Sequence, residues 1–347
     1  MKIIYWNVLK ESHPLTGTKR YEDELFNNIK RFGRNIEVER IQRANNKIIG
    51  STFVSWLFRY KCKDTDIVHA TEETLAPVLS FRKRICSKPK FIITVHDLIP
   101  LLYPSTIKDL TTRIKWKLVP DALKKVDKII AISYFTKKEI IRLIDIDENK
   151  IDVVYQGVNH SKYYPMNKRE CKERLGLNPD EKYILVVASN EERKRMDLVK
   201  RIFDEVRRQR EDVKLIKAGY AEKLTGEGII NTGYIPEPEM PVLYNAADVY
   251  LHTSEYEGFG LPVLEAMACG ITVVAYGKAS IPEVVGSYGN VIYSDSDDCI
   301  KQFVEKILQN IDKGMDYKAL ERSKKFSWEK TAKETIKVYE KAIEEVE

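Results

Sequence analysis

Two kinds of stretch alternate along this chain. Short β-branched apolar runs mark strands, and longer stretches with an apolar position every third or fourth residue mark helices. In the first half the strand runs are Lys2–Val8, Asp66–Ala70, Phe91–Val95, Lys128–Ile132 and Ile151–Tyr155. Tyr21–Phe32 reads as a helix, with Tyr21, Leu25, Phe26 and Ile29 on one side. A polar segment rich in Lys, Asn and Pro, 160–180, then separates the halves. Tyr183–Ala188 restarts the pattern, which continues through Val213–Gly219, Ile229–Tyr234, Asp248–Leu251 and Thr272–Ala275. Helical periodicity spans Asp197–Arg208, Met240–Ala246, Cys299–Asn310 and Tyr317–Lys325, and Ser327 is placed to cap a last helix.

Strands that are apolar throughout, rather than alternating, belong to parallel sheets covered by helices on both faces. The pattern therefore predicts an α/β chain with two Rossmann-like, doubly wound domains, 1–165 and 166–325, and a terminal helical segment, 326–347. A length of 347 residues allows two cores at ~150 residues each.

Composition sets limits on this picture. With 43% hydrophobic and 32% charged residues and no low-complexity tract, the chain is that of a globular protein. Cys62, Cys86, Cys171, Cys269 and Cys299 are scattered, odd in number and never spaced C-x-x-C, which argues against a disulfide framework or zinc site and for a reducing cytoplasm. No apolar window reaches the ~18 residues of a membrane span. The N-terminus lacks the long apolar stretch of a signal peptide. The net charge is +6, and basic residues crowd between Lys19 and Lys128. Such crowding suits an anionic membrane, nucleic acid or a phosphorylated substrate as well as a plain solvated face. Within it, Lys108–Val126 is amphipathic, with Ile114, Leu118, Ala122 and Val126 expected inward, lysines outward and a kink or break at Pro120.

The chemistry concentrates between Leu251 and Gly286. A strand ending at His252 leads into a loop with Glu255 and Glu257, then Gly258-Phe259-Gly260, then a helix opened by Leu261 and Pro262. Proline costs nothing in a first helical turn, because its N–H has no intrahelical partner there. Free N–H groups, the positive end of the helix dipole and glycines that admit close approach make a seat for an anion. Glu257 and Glu265 flank that seat. Carboxylates repel phosphate but accept hydrogen bonds from pairs of sugar hydroxyls. A ligand with both phosphates and sugars satisfies both features.

The spacing of Glu257 and Glu265 around GFGLPVLEAMACG, followed by Ser280, Pro282, Glu283 and Val284, resembles the donor-site signature of the family 4 glycosyltransferases. Further segments are similar: Gly17 after the first strand, His96-Asp97-Leu98 after the Phe91 run, Gln156-Gly157-Val158-Asn159, and the Arg193-Lys194 pair. The resemblance implies a GT-B fold with two parallel sheets facing a cleft and the last helical segment, 326–347, crossing back to the first domain, and a retaining, metal-independent hexosyltransferase that uses a nucleotide-diphosphate sugar as donor and no cofactor. It implies Glu265 on ribose hydroxyls, Glu257 on the transferred sugar, and Arg193 with Lys194 on the diphosphate. Gly258 and the backbone N–H groups of Phe259, Gly260 and Leu261 would complete the donor hold, while Gly17 and His96 would face the acceptor side. The family's usual glycine pair is reduced here to Gly17, and where some members carry a further arginine this chain has Ser189 or Asn190.

The expected acceptor is a hydroxyl of a glycan, a lipid-linked molecule or a small molecule, with peripheral contact to an anionic membrane and no nucleic-acid partner. Two other classes fit the residues less fully: an idle nucleotide-sugar-binding subunit, and a GT-B sugar-nucleotide epimerase. An NAD-dependent oxidoreductase is disfavoured, since no G-x-G-x-x-G follows the first strand.

Overall fold

The computed structural model describes residues 1–7, 16–41, 64–86, 88–107, 109–189, 191–219, 223–288, 290–296 and 298–344. Val8, Cys62, Lys108 and Asn190 lie outside these ranges. The chain divides into two compact units, Met1–Gly157 with Trp328–Glu347, and Val158–Ser327. The first division thus falls before the expected one at 165.

In unit 1 the described strands are β1 (Lys2–Trp6), β2 (Glu37–Ile41), β3 (Ile67–Ala70), β4 (Lys90–Val95), β5 (Lys128–Ala131) and β6 (Ile151–Val153). They form one parallel sheet in the order β2-β1-β3-β4-β5-β6. The interior strands are buried along their length, as their uniformly apolar sequences require. Helix α1 (Gly17–Phe32) begins at Gly17 rather than at Tyr21, because the Thr16 side chain accepts from the Lys19 N–H and caps it. Helix α2 (Ala76–Ile85) and helix α3 (Leu110–Leu123) contribute to the same apolar core.

Two expectations for this unit are corrected. Helix α3 runs unbroken through Pro120 and buries Trp116, Val119, Ala122 and Leu123, leaving Ile114 and Leu118 51% and 53% exposed. Turning the helix to bury the indole removes the largest apolar side chain from water, at the expense of two aliphatic ones. Cys86 is disulfide-bonded, so the cysteines are not all free as a reducing setting suggests, while Cys171, Cys269 and Cys299 are free and no disulfide framework forms among the described residues.

In unit 2 the strands are β7 (Lys182–Val187), β8 (Val213–Ala218), β9 (Ile229–Gly233), β10 (Val249–His252), β11 (Thr272–Tyr276) and β12 (Asn290–Ile292). They too are parallel, in the order β12-β11-β10-β7-β8-β9. Helix α4 (Met196–Gln209) covers one face with Leu198, Val199, Ile202, Phe203 and Val206. Helices α5 (Met240–Ala246) and α6 (Leu261–Ala268) follow β9 and β10.

Candidate active site

The strand order of unit 2 reverses between β7 and β10. From β7 the chain proceeds through β8 to β9, and from β10 through β11 to β12, on the opposite side. Loops leaving the carboxyl ends of two such strands diverge and open a crevice. The loop after β7 carries Arg193 and Lys194, and the loop after β10 carries Glu257 and the two glycines.

Arg193 and Lys194 sit on a single 3-10 turn, Glu192–Lys194, closed by Arg195 in the left-handed region at φ 52°. A non-glycine residue adopts this conformation only where its surroundings hold it. Here they do. The Arg195 guanidinium pairs with Glu255 and, at 3.2 Å, with Asp197. The Glu255 N–H donates to the Arg193 carbonyl at 2.8 Å, and the Thr253 hydroxyl to the Lys194 carbonyl at 2.8 Å. The turn that carries the two cations is therefore fastened to the loop that carries the carboxylate.

The side chains then meet. The Lys194 ammonium donates to Glu257, and the Arg193 guanidinium lies 3.4 Å from the other Glu257 oxygen. Arg193 also donates to the Tyr256 carbonyl at 2.7 Å and to Glu191 at 2.9 Å. Burial pushes the Glu257 carboxyl up, but Lys194, followed by His252 and Arg193, outweighs it and brings the pKa to about 2. His252 ends β10 with its Nε2 3.8 Å from Glu257 and without a hydrogen-bond partner among the described residues. Burial lowers its pKa to about 4 against the pull of Glu257, so the ring is neutral near pH 7.

The glycine bracket leads directly into α6. Gly260 has φ 102°, and a Cβ there would lie 2.8 Å from Ile281 Cδ1. The Ser280 hydroxyl lies 2.9 Å from the carbonyls of both Glu257 and Phe259, one proton shared between two acceptors. Phe259 is buried edge-on against Phe326, with ring centroids 5.8 Å apart. The N–H groups of Gly260 and Leu261 meet no acceptor among the described residues. Deeper along α6, buried Glu265 accepts from the Tyr244 hydroxyl of α5 at 2.8 Å.

The structure thus gathers Arg193, Lys194 and Glu257 in one ion cluster, with Gly258 to Leu261 continuing the same loop and Glu265 on the next helix. Gly17 and His96 belong to unit 1. Gly17 is the exposed first residue of α1. His96 follows β4, with Nε2–H donating to the Thr71 carbonyl at 2.9 Å and Nδ1 accepting from the Gln156 amide at 3.2 Å. The Tyr21 ring packs edge-on against it, and burial lowers its pKa to about 4. Both ring nitrogens are engaged by protein. Three further residues, His252, Arg195 and Tyr244, shape the site without having stood out in the sequence. Only Arg195, which extends the Arg-Lys pair to three successive cations, left a visible trace there.

Chemically, the cluster holds two cations neutralised by carboxylates. An entering polyanion competes with Glu257 for Lys194 and Arg193, and a Glu257 so released can accept from hydroxyl groups.

Residues 17–162 match the family model described as Glycosyltransferase Family 4, and residues 167–331 the one described as Glycosyl transferases group 1. O-antigen chain mannosyltransferase B of Escherichia coli is 28% identical, over 94% of this chain and 96% of its own. Among solved structures, sucrose-phosphate synthase from Thermosynechococcus elongatus matches with a TM-score of 0.77 at 17% identity, over 98% of each chain. Anabaena HepE in complex with UDP and glucose matches at 0.73 and 16% identity, over 98% of this chain and 100% of that one. At such identities the two structures speak to the fold.

Proposed function

Because this chain belongs to the family 4 glycosyltransferases and has their two-domain GT-B fold, we propose that it moves a hexose from a nucleotide-diphosphate sugar to a hydroxyl acceptor, with retention and without a metal ion. The observation that carries this reading is the Arg193–Lys194–Glu257 cluster at the strand-order reversal of unit 2. Glycosyl transfer passes through an oxocarbenium-like state while negative charge grows on the leaving group. Cations fixed before the reaction are the most effective means of stabilising that charge.

In this reading the donor diphosphate takes Lys194 and Arg193 from Glu257. The freed Glu257 accepts from hydroxyls of the transferred sugar, and Glu265 accepts from the ribose. The N–H groups of Phe259, Gly260 and Leu261 complete the hold. The C1–O bond to the diphosphate breaks as the acceptor oxygen bonds C1 on the same face, and a departing phosphate oxygen takes the acceptor proton. Gly17 and His96 serve the acceptor side, where His96, with both ring nitrogens occupied, orients rather than exchanges protons. The mannosyltransferase named above makes mannose, carried by GDP, the first donor to test.

Calorimetric titration with GDP, UDP and ADP, in the absence of metal, tests the donor site directly. One nucleotide, GDP by this argument, is expected to bind. Glu265→Ala is expected to weaken it about 10- to 100-fold, the worth of hydrogen bonds to a charged acceptor. Failure of every nucleotide to bind the unaltered chain would overturn the proposal.

A further inference from the structure

His252 ends β10 beside the ion cluster and yet takes no part in its hydrogen bonds. Its side chain is 6% exposed, its ring is stacked on that of Tyr250 with centroids 6.3 Å apart, and its Nε2 has no hydrogen-bond partner among the described residues. A buried polar atom without a partner destabilises the fold, so such atoms are rare and call for a reason. Glu257 Oε1 lies 3.8 Å from this Nε2. That is about 1 Å too far for a hydrogen bond.

The oxygen is already taken, because Lys194 donates to Oε1 while Arg193 lies 3.4 Å from Oε2. Three charged groups bear on the imidazole. Glu257, from the loop after β10, favours a proton on the ring, and Lys194 and Arg193, from the turn after β7, oppose one. On its own strand the ring meets Tyr250, whose hydroxyl burial keeps protonated and uncharged. Burial and the two cations together outweigh the one carboxylate, and the ring stays neutral.

A diphosphate bound to Lys194 and Arg193 reverses this balance. It cancels the charge of both cations and strips Glu257, whose side chain is only 14% exposed, of its counter-ions. A buried charge whose partner is withdrawn is strongly destabilising unless another takes its place. Among the described residues only Arg193, Lys194 and His252 lie within ion-pair distance of Glu257. With the first two engaged by phosphate, His252 is left.

Resting on the donor reading above, we propose that His252 is a positioning residue that exchanges places with Lys194. As the donor diphosphate draws Lys194 away, His252 Nε2 takes one proton from solvent and, as imidazolium, closes on Glu257 Oε1. The carboxylate thus stays ionised, with Oε2 open to hydroxyls of the transferred sugar. Donor binding and the uptake of a proton are then one event.

Titration calorimetry of the whole chain with GDP-mannose, repeated in buffers of different ionisation enthalpy, counts the protons bound with each donor. The diphosphate of this donor is esterified at both ends and supplies none itself near neutrality. The free ring is held at about 4, and one paired with Glu257 should titrate at or above the ordinary ~6.5, so more than about half a proton per donor is expected at pH ~6. A group whose pKa rises on binding favours binding below the bound value and ceases to do so as pH climbs through it. The donor should therefore bind roughly fourfold more tightly at pH ~6 than at pH ~8. His252→Gln should abolish the uptake and flatten this dependence. Glu257→Gln, which leaves the imidazolium without a counter-charge, should remove most of the uptake while keeping His252 in place. Binding to the unaltered chain without proton uptake, or uptake undiminished in either variant, would overturn the proposal and leave the donor reading standing. Failure of GDP-mannose, UDP-glucose and ADP-glucose alike to bind would overturn the donor reading, and this inference with it.

Discussion

Glu257 is the residue on which the site's electrostatics turn. Without a donor it is the counter-ion of Lys194 and, more distantly, of Arg193, and these charges hold its carboxyl down to about 2, well below the usual 4.5. A carboxyl whose pKa is depressed on folding stabilises the folded state above its unfolded pKa. That stabilisation is lost as pH falls through the folded value. A shift of this size corresponds to about 3 kcal/mol. The unfolding free energy of unit 2, measured in urea, should therefore exceed that of Glu257→Gln by an amount of this order at pH 7. The gap should narrow steadily between about pH 4.5 and 2, the range between the unfolded and folded values. A gap equally wide at pH 3 and pH 7 would mean that the cluster does not hold Glu257 ionised. The same variant keeps the shape of the side chain but not its charge, so nucleotide diphosphates, no longer competing with it for Lys194, should bind it at least as tightly as the unaltered chain.

At the scale of elements, the start of α6 depends on one backbone conformation. Gly260 sits at φ 102° with Ile281 Cδ1 where a Cβ would go. Gly260→Ala should cost about 1–3 kcal/mol of unit 2 stability in chemical denaturation, from strain and crowding together. Gly17→Ala is the control. Gly17 opens α1 without a positive φ, so alanine there should change stability by less than about 1 kcal/mol. Equal effects would show that the Gly260 loop relaxes freely. This helix start was legible in the sequence because Gly260, Leu261 and Pro262 each have a local reason to be where they are. The interior strands were legible too, being apolar throughout. Two edge strands were not. In β2, Glu37–Ile41 reads EVERI, and β12 is only Asn290–Ile292; an edge open to water on one side tolerates charge and brevity, and so lacks the apolar signature. The outward face of α3 was misread for a related reason, since two apolar periods overlap in it and only the position of Trp116 decides between them. The pairing of Lys194 with Glu257 joins positions 63 apart and is set by the strand order, which no local pattern encodes.

At the scale of the whole molecule, the chain leaves unit 1 after Gly157 and returns to it at Trp328, so the last helix, α7 (Trp328–Glu344), completes a core begun by the first strand. Its Tyr339 hydroxyl lies 2.5 Å from the Tyr5 hydroxyl of β1 and 2.6 Å from His69 Nδ1 of β3. The other ring nitrogen of His69 lies 2.8 Å from the Thr94 hydroxyl of β4, which also meets the Tyr21 hydroxyl of α1 at 2.8 Å. All five side chains are buried, so each polar atom in the chain needs its neighbour. Tyr339→Phe keeps the ring and removes the hydroxyl at the centre, leaving Tyr5 and His69 short of a partner. A cost of about 1–3 kcal/mol follows from the unmet hydrogen bonds. Because these groups all lie in unit 1, hydrogen exchange should quicken in β1, β3 and α7 while amides of β7 and β10 keep their protection, and nucleotide titration should not change. Equal loss of protection in both sheets would show that the two units unfold as one body, and no loss in either would show that packing of the ring, not the hydroxyl network, holds the last helix in place.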